Sequence, residues 1–531
     1  MRPKPATQRG RRREVAGGYG PLTPPEPCST VCAVNLVQHH VGGAAATAKP
    51  ERSGDVFDPA TGQVARQVAF ATEAEVDSTV AAAREAFPAW RDTPVTRRQR
   101  ILFAYRELVE RHRDDLAKLV VSEHGKTLDD ARGEVSRGLE VIEFACAIPH
   151  LLKGTYSENV STSVDTYTLR QPLGVVAGIT PFNFPVMVPL WMFPMAIAAG
   201  NTFILKPSEK DPSPSVLAAE LFEQAGLPAG VLNVVHGDSV AVKRLLEHPD
   251  IAAISFVGST PVAREVYCTG TANGKRVQAL AGAKNHMVVL PDADMELAAD
   301  SAVSAGYGSA GERCMAISVV VAVGSAADPL VEGIRTRIAA LKVGPGMEPD
   351  SEMGPLITRE HRDRVASYVD AGVEAGATLV ADGRKLSLNG HGDGFFLGAT
   401  LFDNVTADMT IYRDEIFGPV LSVVRVDSYE DAIDLINTNP WGNGTAVFTN
   451  DGGAARKFQT EIQVGMVGIN LPIPVPLGFY SFGGWKQSIF GDYAIYGPES
   501  IGFYTRPKTI ISRWSDPVHR GVDLGFPTQT G

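Results

Sequence analysis

The chain has few cysteines, no long uninterrupted hydrophobic run and no excess of positive charge. Five cysteines among 531 residues are too sparse and irregularly spaced to predict a disulfide framework or a zinc site, as is typical of a reducing compartment. The longest apolar run, residues 184–200, contains three prolines and falls short of the ~20 residues that span a bilayer. We expect it to be a buried core segment. The net charge of −11 argues against nucleic acid as the main partner, because phosphate binding needs a basic face.

The amino-terminal segment differs from the rest of the chain. Residues 1–33 are rich in arginine and proline and lack the apolar stretch of a secretory signal. A mitochondrial transit peptide would share the arginines, but the prolines break an amphipathic helix. We predict either a disordered extension or a start codon placed too far upstream, with ordered chain from about Asn35. Cys28 and Cys32 form one close pair without histidines in a metal spacing, and no metal site is predicted.

The remaining length suggests two or three domains. Thr72 and Glu75 form a capping-box pattern for a helix towards Trp90, and helical periodicity covers residues 96–123. Short β-branched runs then alternate with helical segments, which indicates a parallel sheet covered on both faces. The predicted strands are 174–180, 202–206, 231–235 and 252–257. The predicted helices between them are 213–225 and 239–247. A second alternating region spans 285–467.

A polar side chain lies between aromatic residues and prolines directly after the first of these strands. The segment Thr180-Pro-Phe182-Asn183-Phe-Pro185 holds Asn183 on a rigid turn. An amide fixed in this way could donate to a developing oxyanion. Alternatively, Asn183 satisfies backbone groups of the turn.

Two further strand ends carry groups suited to a nucleotide. Lys206 and Glu209 follow a strand at its carboxyl end, where open α/β sheets bind ligands. Glu209 could accept from a ribose hydroxyl and would repel a 2′-phosphate, which favours NAD over NADP. Gly258 and Ser259 precede a helix with Pro261 at its start, a suitable anion site for a pyrophosphate. Solvated loop charge is the alternative for the first pair, and the second lacks the three-glycine fingerprint.

The segment Gly311-Glu-Arg313-Cys314-Met315 contains a candidate nucleophile. Arg313 could favour the thiolate of Cys314, although adjacent side chains in extended chain point to opposite faces. A buried, inert cysteine is the alternative. Further on, Glu415 could hold a second ribose and Phe417 could pack on a nicotinamide ring, or the segment is a structural turn.

Together, in this order and spacing, these segments resemble the aldehyde dehydrogenase superfamily from about Asn35 to Trp514. The chain is more closely similar to its CoA-acylating branch, the methylmalonate-semialdehyde dehydrogenase family. The closer match is carried by residues 282–286 (GAKNH), 311–315, 478–492 (GFYSFGGWKQSIFGD) and 501–514.

The resemblance implies an α/β fold of three parts. These are a Rossmann-like NAD-binding domain (34–160 and 171–284), an α/β catalytic domain (285–480) and a small β oligomerisation arm (161–170 and 495–515). It implies that Cys314 is the nucleophile and that Asn183 with the Cys314 N–H forms the oxyanion hole. Arg137 and Arg313 match arginines expected to bind the substrate carboxylate, although a surface salt bridge is the alternative for Arg137. The cofactor-binding positions carried over are Thr180, Phe182, Lys206, Glu209, Lys210, Gly258, Ser259, Ala281, Glu415 and Phe417.

One departure from most of the superfamily supports the narrower resemblance. Where hydrolytic members have a water-activating glutamate, the chain has Leu280 in Leu280-Ala281-Gly282-Ala283-Lys284. The resemblance therefore implies that the acyl group leaves on CoA, with NAD as cofactor. The alternatives are a hydrolytic semialdehyde dehydrogenase and a non-catalytic binding protein on the same fold. Malonate and methylmalonate semialdehyde differ by one methyl, worth only ~1–3 kcal/mol in a pocket, so the sequence does not separate inositol from valine catabolism.

The same resemblance implies a homotetramer, a dimer of dimers. We expect no membrane or nucleic-acid partner. The expected location is the cytoplasm, or the mitochondrial matrix in a eukaryote.

Overall fold

A computed structural model describes residues 35–46 and 49–514, so the predictions for residues 1–33 and for Cys28 and Cys32 lie outside the described part. The first strand of the described part begins at Asn35. The first strands are β1 (Asn35–Val37), β2 (His40–Val41), β3 (Ala44–Ala45), β4 (Arg52–Asp58) and β5 (Gln63–Phe70). Strands β1, β5 and β4 form a small sheet of their own.

Five helices follow this small sheet. They are α1 (Glu73–Arg91), α2 (Val95–Arg111), α3 (Arg113–His124), α4 (Leu128–Cys146) and α5 (Ile148–Leu151). The capping box of Thr72 and Glu75 is confirmed: the Thr72 hydroxyl accepts from the Glu75 N–H, and the Glu75 carboxylate accepts from the Thr72 N–H. The helical periodicity predicted over 96–123 corresponds to two helices, which meet at His112.

The next segment provides the central strands of an eight-stranded sheet. With β22 (Ile489–Phe490) from the carboxyl-terminal part of the chain, the strand order is β22-β12-β11-β8-β9-β10-β2-β3. Its five central strands are parallel, as the alternating pattern predicts. The strands are β8 (Val175–Ile179), β9 (Thr202–Lys206), β10 (Leu232–Val234), β11 (Ile251–Val257) and β12 (Arg276–Leu280). The helices are α6 (Met187–Ala198), α7 (Ser213–Gln224), α8 (Ser239–Glu247) and α9 (Thr260–Ala272).

Helix α6 contains most of the apolar run and is entirely buried, which confirms the predicted core segment. It packs against α4 and β9 in a hydrophobic core on one face of the eight-stranded sheet. A second core, which includes residues of α1, α8 and α9, covers the other face. Within residues 35–46 and 49–514, no helix combines the length and apolarity needed to cross a membrane.

A second sheet of seven strands follows, in the order β15-β16-β17-β14-β13-β19-β20. Its strands are β13 (Asn285–Val289), β14 (Ile317–Val323), β15 (Thr378–Ala381), β16 (Thr400–Asp403), β17 (Val420–Val426), β19 (Gly444–Phe448) and β20 (Met466–Ile469). Between them run α10 (Met295–Tyr307), α11 (Ala327–Ala340), α12 (Arg359–Glu374), α13 (Thr410–Arg413), α14 (Tyr429–Thr438) and α15 (Gly452–Glu461). All neighbours except β15 and β16 are parallel.

A small three-stranded sheet joins two distant parts of the chain. Strands β6 (Tyr156–Ser161) and β7 (Val164–Pro172) form a hairpin, and β23 (Thr505–Arg513) pairs with β7 from Thr505↔Pro172 to Arg513↔Val164. The sheet therefore begins before residue 161, the boundary expected for the arm. The remaining elements are β18 (Trp441–Gly442), β21 (Trp485–Lys486), β22 (Ile489–Phe490) and helix α16 (Pro498–Tyr504).

Candidate active site

The site lies at the carboxyl edge of the eight-stranded sheet, where strand order reverses. From β8 the chain continues to β9 on one side, whereas β11 pairs with β8 on the other. Ligands of open α/β sheets bind at such a switch point. The strand ends are joined by backbone hydrogen bonds: Thr180 N–H donates to Lys206 O over 3.1 Å, and Gly258 N–H donates to Leu280 O over 3.1 Å.

The seven-stranded sheet contributes its opposite edge. Asn285 begins β13, Cys314 comes shortly before β14, Glu415 shortly before β17, and Asn443 directly before β19. Since these four strands are neighbours and parallel, their amino ends meet at one edge of the sheet. The predicted nucleophile and Glu415 therefore lie just before strands of the seven-stranded sheet, whereas Lys206, Gly258 and Ser259 lie at strand ends of the eight-stranded sheet.

A cavity of about 690 Å³ lies between these two edges and brings together nine of the predicted site residues. From the segments before β14 and β17 of the seven-stranded sheet it is lined by Cys314, Glu415 and Phe417. From the segments that follow strands of the eight-stranded sheet it is lined by Phe182, Asn183, Lys210, Gly258, Ser259 and Ala281. Its size and mixture of apolar walls with a few polar groups suit a cofactor together with a small substrate.

The loop before Cys314 has an unusual backbone. Ser309, Ala310 and Gly311 have φ values of 52°, 51° and 74°, in the left-handed region. A Cβ on Gly311 would clash with the carbonyl of Gly418, so glycine permits the close approach of these two turns. Consecutive residues in this region store strain, and such strain is concentrated at functional sites.

Two asparagines fix the backbone of the candidate nucleophile. The side-chain amide of Asn285 donates to the Cys314 carbonyl over 2.9 Å and to the Ala316 carbonyl over 3.0 Å. The amide of Asn443 donates to the same Cys314 carbonyl over 3.2 Å. Because its carbonyl is held from both sides, Cys314 has a defined position in the cavity.

The thiol of Cys314 is not activated in this state. Burial raises its pKa to about 12, and the neighbouring Glu415 acts in the same direction. Backbone N–H groups lower this pKa, and Arg313 contributes the smallest lowering effect. The guanidinium of Arg313 is instead paired with Asp130, 2.7 Å away. Arg313 is therefore a weak thiol activator here.

Glu415 lies beside the nucleophile and packs so closely against the backbone at Gly282 that a larger residue at position 282 would clash with it. One of its carboxylate oxygens accepts from the Ala283 N–H over 2.9 Å, and a Cβ on Gly282 would clash with the other. Burial raises the pKa of Glu415 to about 7. Two residues on, Phe417 has a φ of 59°, and His361 donates to its carbonyl over 2.7 Å. Glu415 and Phe417 thus belong to one constrained turn.

Asn183 has a free amide in a buried setting. The residue is 3% exposed, and its side chain has no hydrogen-bond partner within the described chain. The main-chain carbonyl of Asn183 accepts from the ammonium of Lys126 over 2.7 Å. The amide lines the same cavity as Cys314, as an oxyanion donor must.

The adenosine side of the predicted cofactor site contains an ion pair. Lys206 donates to Glu209 over 3.0 Å. Burial raises the pKa of Glu209, but Lys206 and hydrogen bonds outweigh burial and hold it below its usual value. The ammonium of Lys210 lies 4.7 Å from the centre of the Phe182 ring. Lys206, Glu209 and Thr180 lie at the same sheet edge but do not line the cavity itself.

The two arginines expected to bind a carboxylate lie at one face of α4: Arg313 contacts this face, and Arg137 belongs to it. Arg313 pairs with Asp130, and Arg137 is seven residues further along this helix, on the same face. Arg137 itself pairs with Glu140 at 2.9 Å and donates to the Val475 carbonyl. Burial raises the pKa of Tyr496, and Arg137 and Cys314 both lie close enough to this tyrosine to make smaller contributions.

Leu280 ends strand β12 and is 4% exposed. It belongs to the hydrophobic core against which Cys314 packs. An apolar side chain thus occupies the sequence position to which the family resemblance assigns the water-activating carboxylate.

Several residues that shape the site were not predicted from the sequence. Asn285 begins β13, Asn443 directly precedes β19, and His361 lies on α12 without any motif. Lys126 and Glu134 form a buried ion pair beneath Asn183. Only the strand-start position of the two asparagines offered a signal, and it becomes informative once the strand order is known.

Known proteins are similar to this chain over most of its length. The model of the Aldehyde dehydrogenase family matches residues 46–510. The chain is 55% identical to a malonate-semialdehyde dehydrogenase from Pseudomonas aeruginosa, over 92% of this chain and 99% of that protein. It is 47% identical to a mitochondrial, acylating methylmalonate-semialdehyde dehydrogenase from Arabidopsis thaliana, over 93% and 81% of the two chains.

The crystal structure of a candidate methylmalonate-semialdehyde dehydrogenase from Sinorhizobium meliloti 1021, complexed with NAD, is similar throughout. Its TM-score is 0.90 with 51% sequence identity, and the match covers 92% of this chain and 99% of the other.

Proposed function

Because the chain belongs to the aldehyde dehydrogenase family, we propose that it oxidises malonate or methylmalonate semialdehyde with NAD and transfers the acyl group to CoA. The predicted aldehyde dehydrogenase fold is confirmed by the family match and by the similar solved structure. The proposal is supported by the names of the relatives, which act on these semialdehydes and in one case are acylating. The single observation that carries acyl transfer to CoA is Leu280, which ends β12 where hydrolysis needs a carboxylate.

The residues around the cavity fit NAD. Ser259 caps α9 without a side-chain hydrogen bond, so its hydroxyl and the first N–H groups of the helix remain available for a pyrophosphate. Lys206 and Glu209 would hold the adenosine ribose, and Glu415 the nicotinamide ribose beside Phe417. NAD supplies the hydride acceptor when bound, as it is in the Sinorhizobium meliloti structure.

The first half of the proposed reaction is thioester formation. The thiolate of Cys314 attacks the aldehyde carbon and gives a thiohemiacetal. The amide of Asn183 and the Cys314 N–H donate to its oxyanion, and loss of one such donor typically costs about 3 kcal/mol of transition-state stabilisation. Departure of a hydride from that carbon leaves an acyl group on Cys314 as a thioester. Asn285 and Asn443 keep the nucleophile loop fixed throughout.

The second half is release. The acyl group carries a carboxylate on its α carbon, β to the thioester carbonyl. Loss of carbon dioxide passes the electron pair of the broken C–C bond to that carbonyl and gives an enolate, which the same donors stabilise until its α carbon takes up a proton. Arg137 and Arg313 are the proposed partners of the substrate carboxylate, since arginine binds carboxylates in a bidentate manner. No carboxylate at position 280 activates water. The thiol of CoA, more acidic and more nucleophilic than water, therefore takes the acyl group.

Formation of NADH from either semialdehyde, with and without CoA, tests the proposal. We expect steady turnover only with CoA, with acetyl-CoA from malonate semialdehyde and propionyl-CoA from methylmalonate semialdehyde. Undiminished turnover without CoA would identify a hydrolytic enzyme instead, and an unreactive Cys314 would indicate a binding protein on this fold. The ratio of kcat/KM for malonate semialdehyde to kcat/KM for methylmalonate semialdehyde identifies the preferred substrate.

We also propose a homotetramer, a dimer of dimers, built with the three-stranded sheet as an arm. Large apolar side chains on its strands are exposed, among them Tyr156, Leu169 and Ile511. Such exposure supports burial against another subunit. Light scattering coupled to size exclusion measures the mass directly. A cytoplasmic location, or the mitochondrial matrix in a eukaryote, remains part of this proposal; the Arabidopsis relative is mitochondrial.

A further inference from the structure

A fully buried ion pair lies directly beneath the oxyanion donor. Lys126, between α3 and α4, and Glu134, on α4, have side chains with 0% exposure, and their charged atoms are 2.8 Å apart. The side chains therefore pair in a setting where charges are costly to bury. Replacing such pairs by apolar residues is often neutral or stabilising, so stability alone is a weak reason for one.

Both members of the pair hold the segment that carries Asn183. The ammonium of Lys126 donates to the Asn183 carbonyl over 2.7 Å and lies 4.2 Å from the centre of the Phe184 ring. One oxygen of Glu134 accepts from the N–H groups of Val186 and Met187, over 2.8 Å and 3.1 Å.

Each oxygen of the carboxylate therefore has a separate function. The first satisfies N–H groups at the start of α6, which would otherwise lack acceptors. The second holds the ammonium that binds the peptide of Asn183. Residues 183–187 are thus fixed at both ends by a single ion pair, while the amide of Asn183 itself stays free for a ligand.

We propose that Lys126 and Glu134 are positioning residues for Asn183 and hold its amide where the oxyanion forms. The inference rests on the oxyanion role proposed above for Asn183. An oxyanion donor acts only if its position is set before the charge develops. A turn bounded by prolines limits the path of the chain, but only a donor on the Asn183 carbonyl fixes the rotation of its peptide plane. Lys126 supplies that donor.

The burst of NADH in the first turnover, measured with propionaldehyde and saturating NAD in the absence of CoA, isolates the step on which Asn183 acts. Propionaldehyde has no carboxylate, so substrate recognition by arginine does not enter. The variants are Lys126→Met, Glu134→Gln, Asn183→Ala and the double variant Lys126→Met/Asn183→Ala. We expect Lys126→Met to slow the burst ~10- to 100-fold, less than the ~10²–10³-fold typical for loss of an oxyanion donor, because the Asn183 amide is displaced and not removed. The double variant should be no slower than Asn183→Ala alone.

The losses of burst rate from Lys126→Met and Asn183→Ala should not multiply in the double variant, because both act through the Asn183 amide. A merely structural role of Lys126 does not produce this result. If the losses from Lys126→Met and Asn183→Ala multiply, the inference is overturned. A burst as fast in Asn183→Ala as in the unaltered protein would instead remove the proposed oxyanion role, and the two failures are thereby distinguished.

The neutral double variant Lys126→Met/Glu134→Gln separates rate from stability. It leaves no unpaired buried charge, so its melting temperature should recover relative to Lys126→Met. Its burst should remain slow, because the Asn183 carbonyl still lacks its donor. Recovery of the burst together with the melting temperature would assign the pair to stability alone. This variant also keeps the test open should Lys126→Met fail to fold.

A matched control is available on the neighbouring helix. Glu123 is equally buried, pairs with Arg66 at 2.9 Å and accepts from the Ser213 N–H at the start of α7. It has the same combination of ion pair and helix start as Glu134 but no contact with Asn183. Glu123→Gln should lower the melting temperature and leave the burst rate within about twofold, whereas Glu134→Gln should lower both.

Discussion

Arg137 and Glu140, one turn apart on α4, form an ion pair in which one guanidinium nitrogen lies 2.9 Å from both carboxylate oxygens. The other terminal nitrogen donates to the Val475 carbonyl over 2.8 Å. The cation proposed to bind the substrate carboxylate thus already has a partner. A substrate carboxylate must displace Glu140 from the Arg137 guanidinium or share the guanidinium with it. Glu140 therefore affects how strongly Arg137 binds a substrate carboxylate.

Replacement of Arg137 by leucine should raise KM for methylmalonate semialdehyde ~10-fold or more while changing KM for propionaldehyde little. A hydrogen bond to a charged group contributes about 1.5–3 kcal/mol, and each 1.4 kcal/mol is a factor of ten. Steady-state rates with both aldehydes measure this directly. Equal effects on the two substrates would remove Arg137 from carboxylate recognition. The control is Glu143→Gln, on the same helix as Arg137, which breaks an ion pair with Arg106 of α2.

The thiol of Cys314 should react slowly with iodoacetamide in the absence of NAD, and faster as the pH rises. Because burial raises its pKa to about 12, the thiolate fraction grows about tenfold per pH unit throughout the range from 7 to 10. Loss of activity over time at each pH gives the rate. A plateau near pH 8 would contradict an unactivated thiol. Glu415→Gln should accelerate alkylation, since the charge of Glu415 raises the same pKa.

The elements of the eight-stranded sheet could be predicted from sequence, because each has a short apolar strand bounded by turn residues. Strand β9 (Thr202–Lys206) and helix α8 (Ser239–Glu247) have the predicted bounds. The break at His112 was missed because both flanking helices keep their apolar faces towards the same core, so periodicity continues across it. Periodicity reports a buried face and does not report a change in helix axis.

The candidate site could be predicted from the sequence less completely than the eight-stranded sheet. Residues at strand ends, such as Lys206 and Ser259, could be proposed because ligands bind at that edge of an open sheet. Asn285 and Asn443 are 158 residues apart and act on one carbonyl only through the pairing of β13 with β19. Lys126 and Glu134 look like solvated charges in the sequence, since burial is a property of packing and not of spacing.

Leu280→Glu should convert part of the activity to hydrolysis. A carboxylate at the end of β12 would act as a base for water, and general-base catalysis typically contributes 10²–10⁴-fold. Because position 280 is not optimised for a general base, we expect a smaller effect: at least a ~10-fold rise in steady NADH formation without CoA. Leu280→Gln is the control of similar shape without a base. Because Leu280 is buried in an apolar core, both variants should have lower melting temperatures. Equal CoA-free rates in the two variants would contradict this interpretation of Leu280.

Glu209 should determine the preference for NAD over NADP. Its pKa lies below the usual value for a glutamate, so it carries a full negative charge at neutral pH beside Lys206. That charge would repel a 2′-phosphate and accept from a 2′-hydroxyl. Glu209→Gln should therefore raise kcat/KM for NADP ~10-fold and lower it several-fold for NAD. The change also frees Lys206, 3.0 Å away, to pair with the phosphate. Glu220→Gln, an exposed position on α7, controls for net charge. A ratio of the two kcat/KM values that is the same in Glu209→Gln as in the unaltered protein would place the adenosine ribose elsewhere.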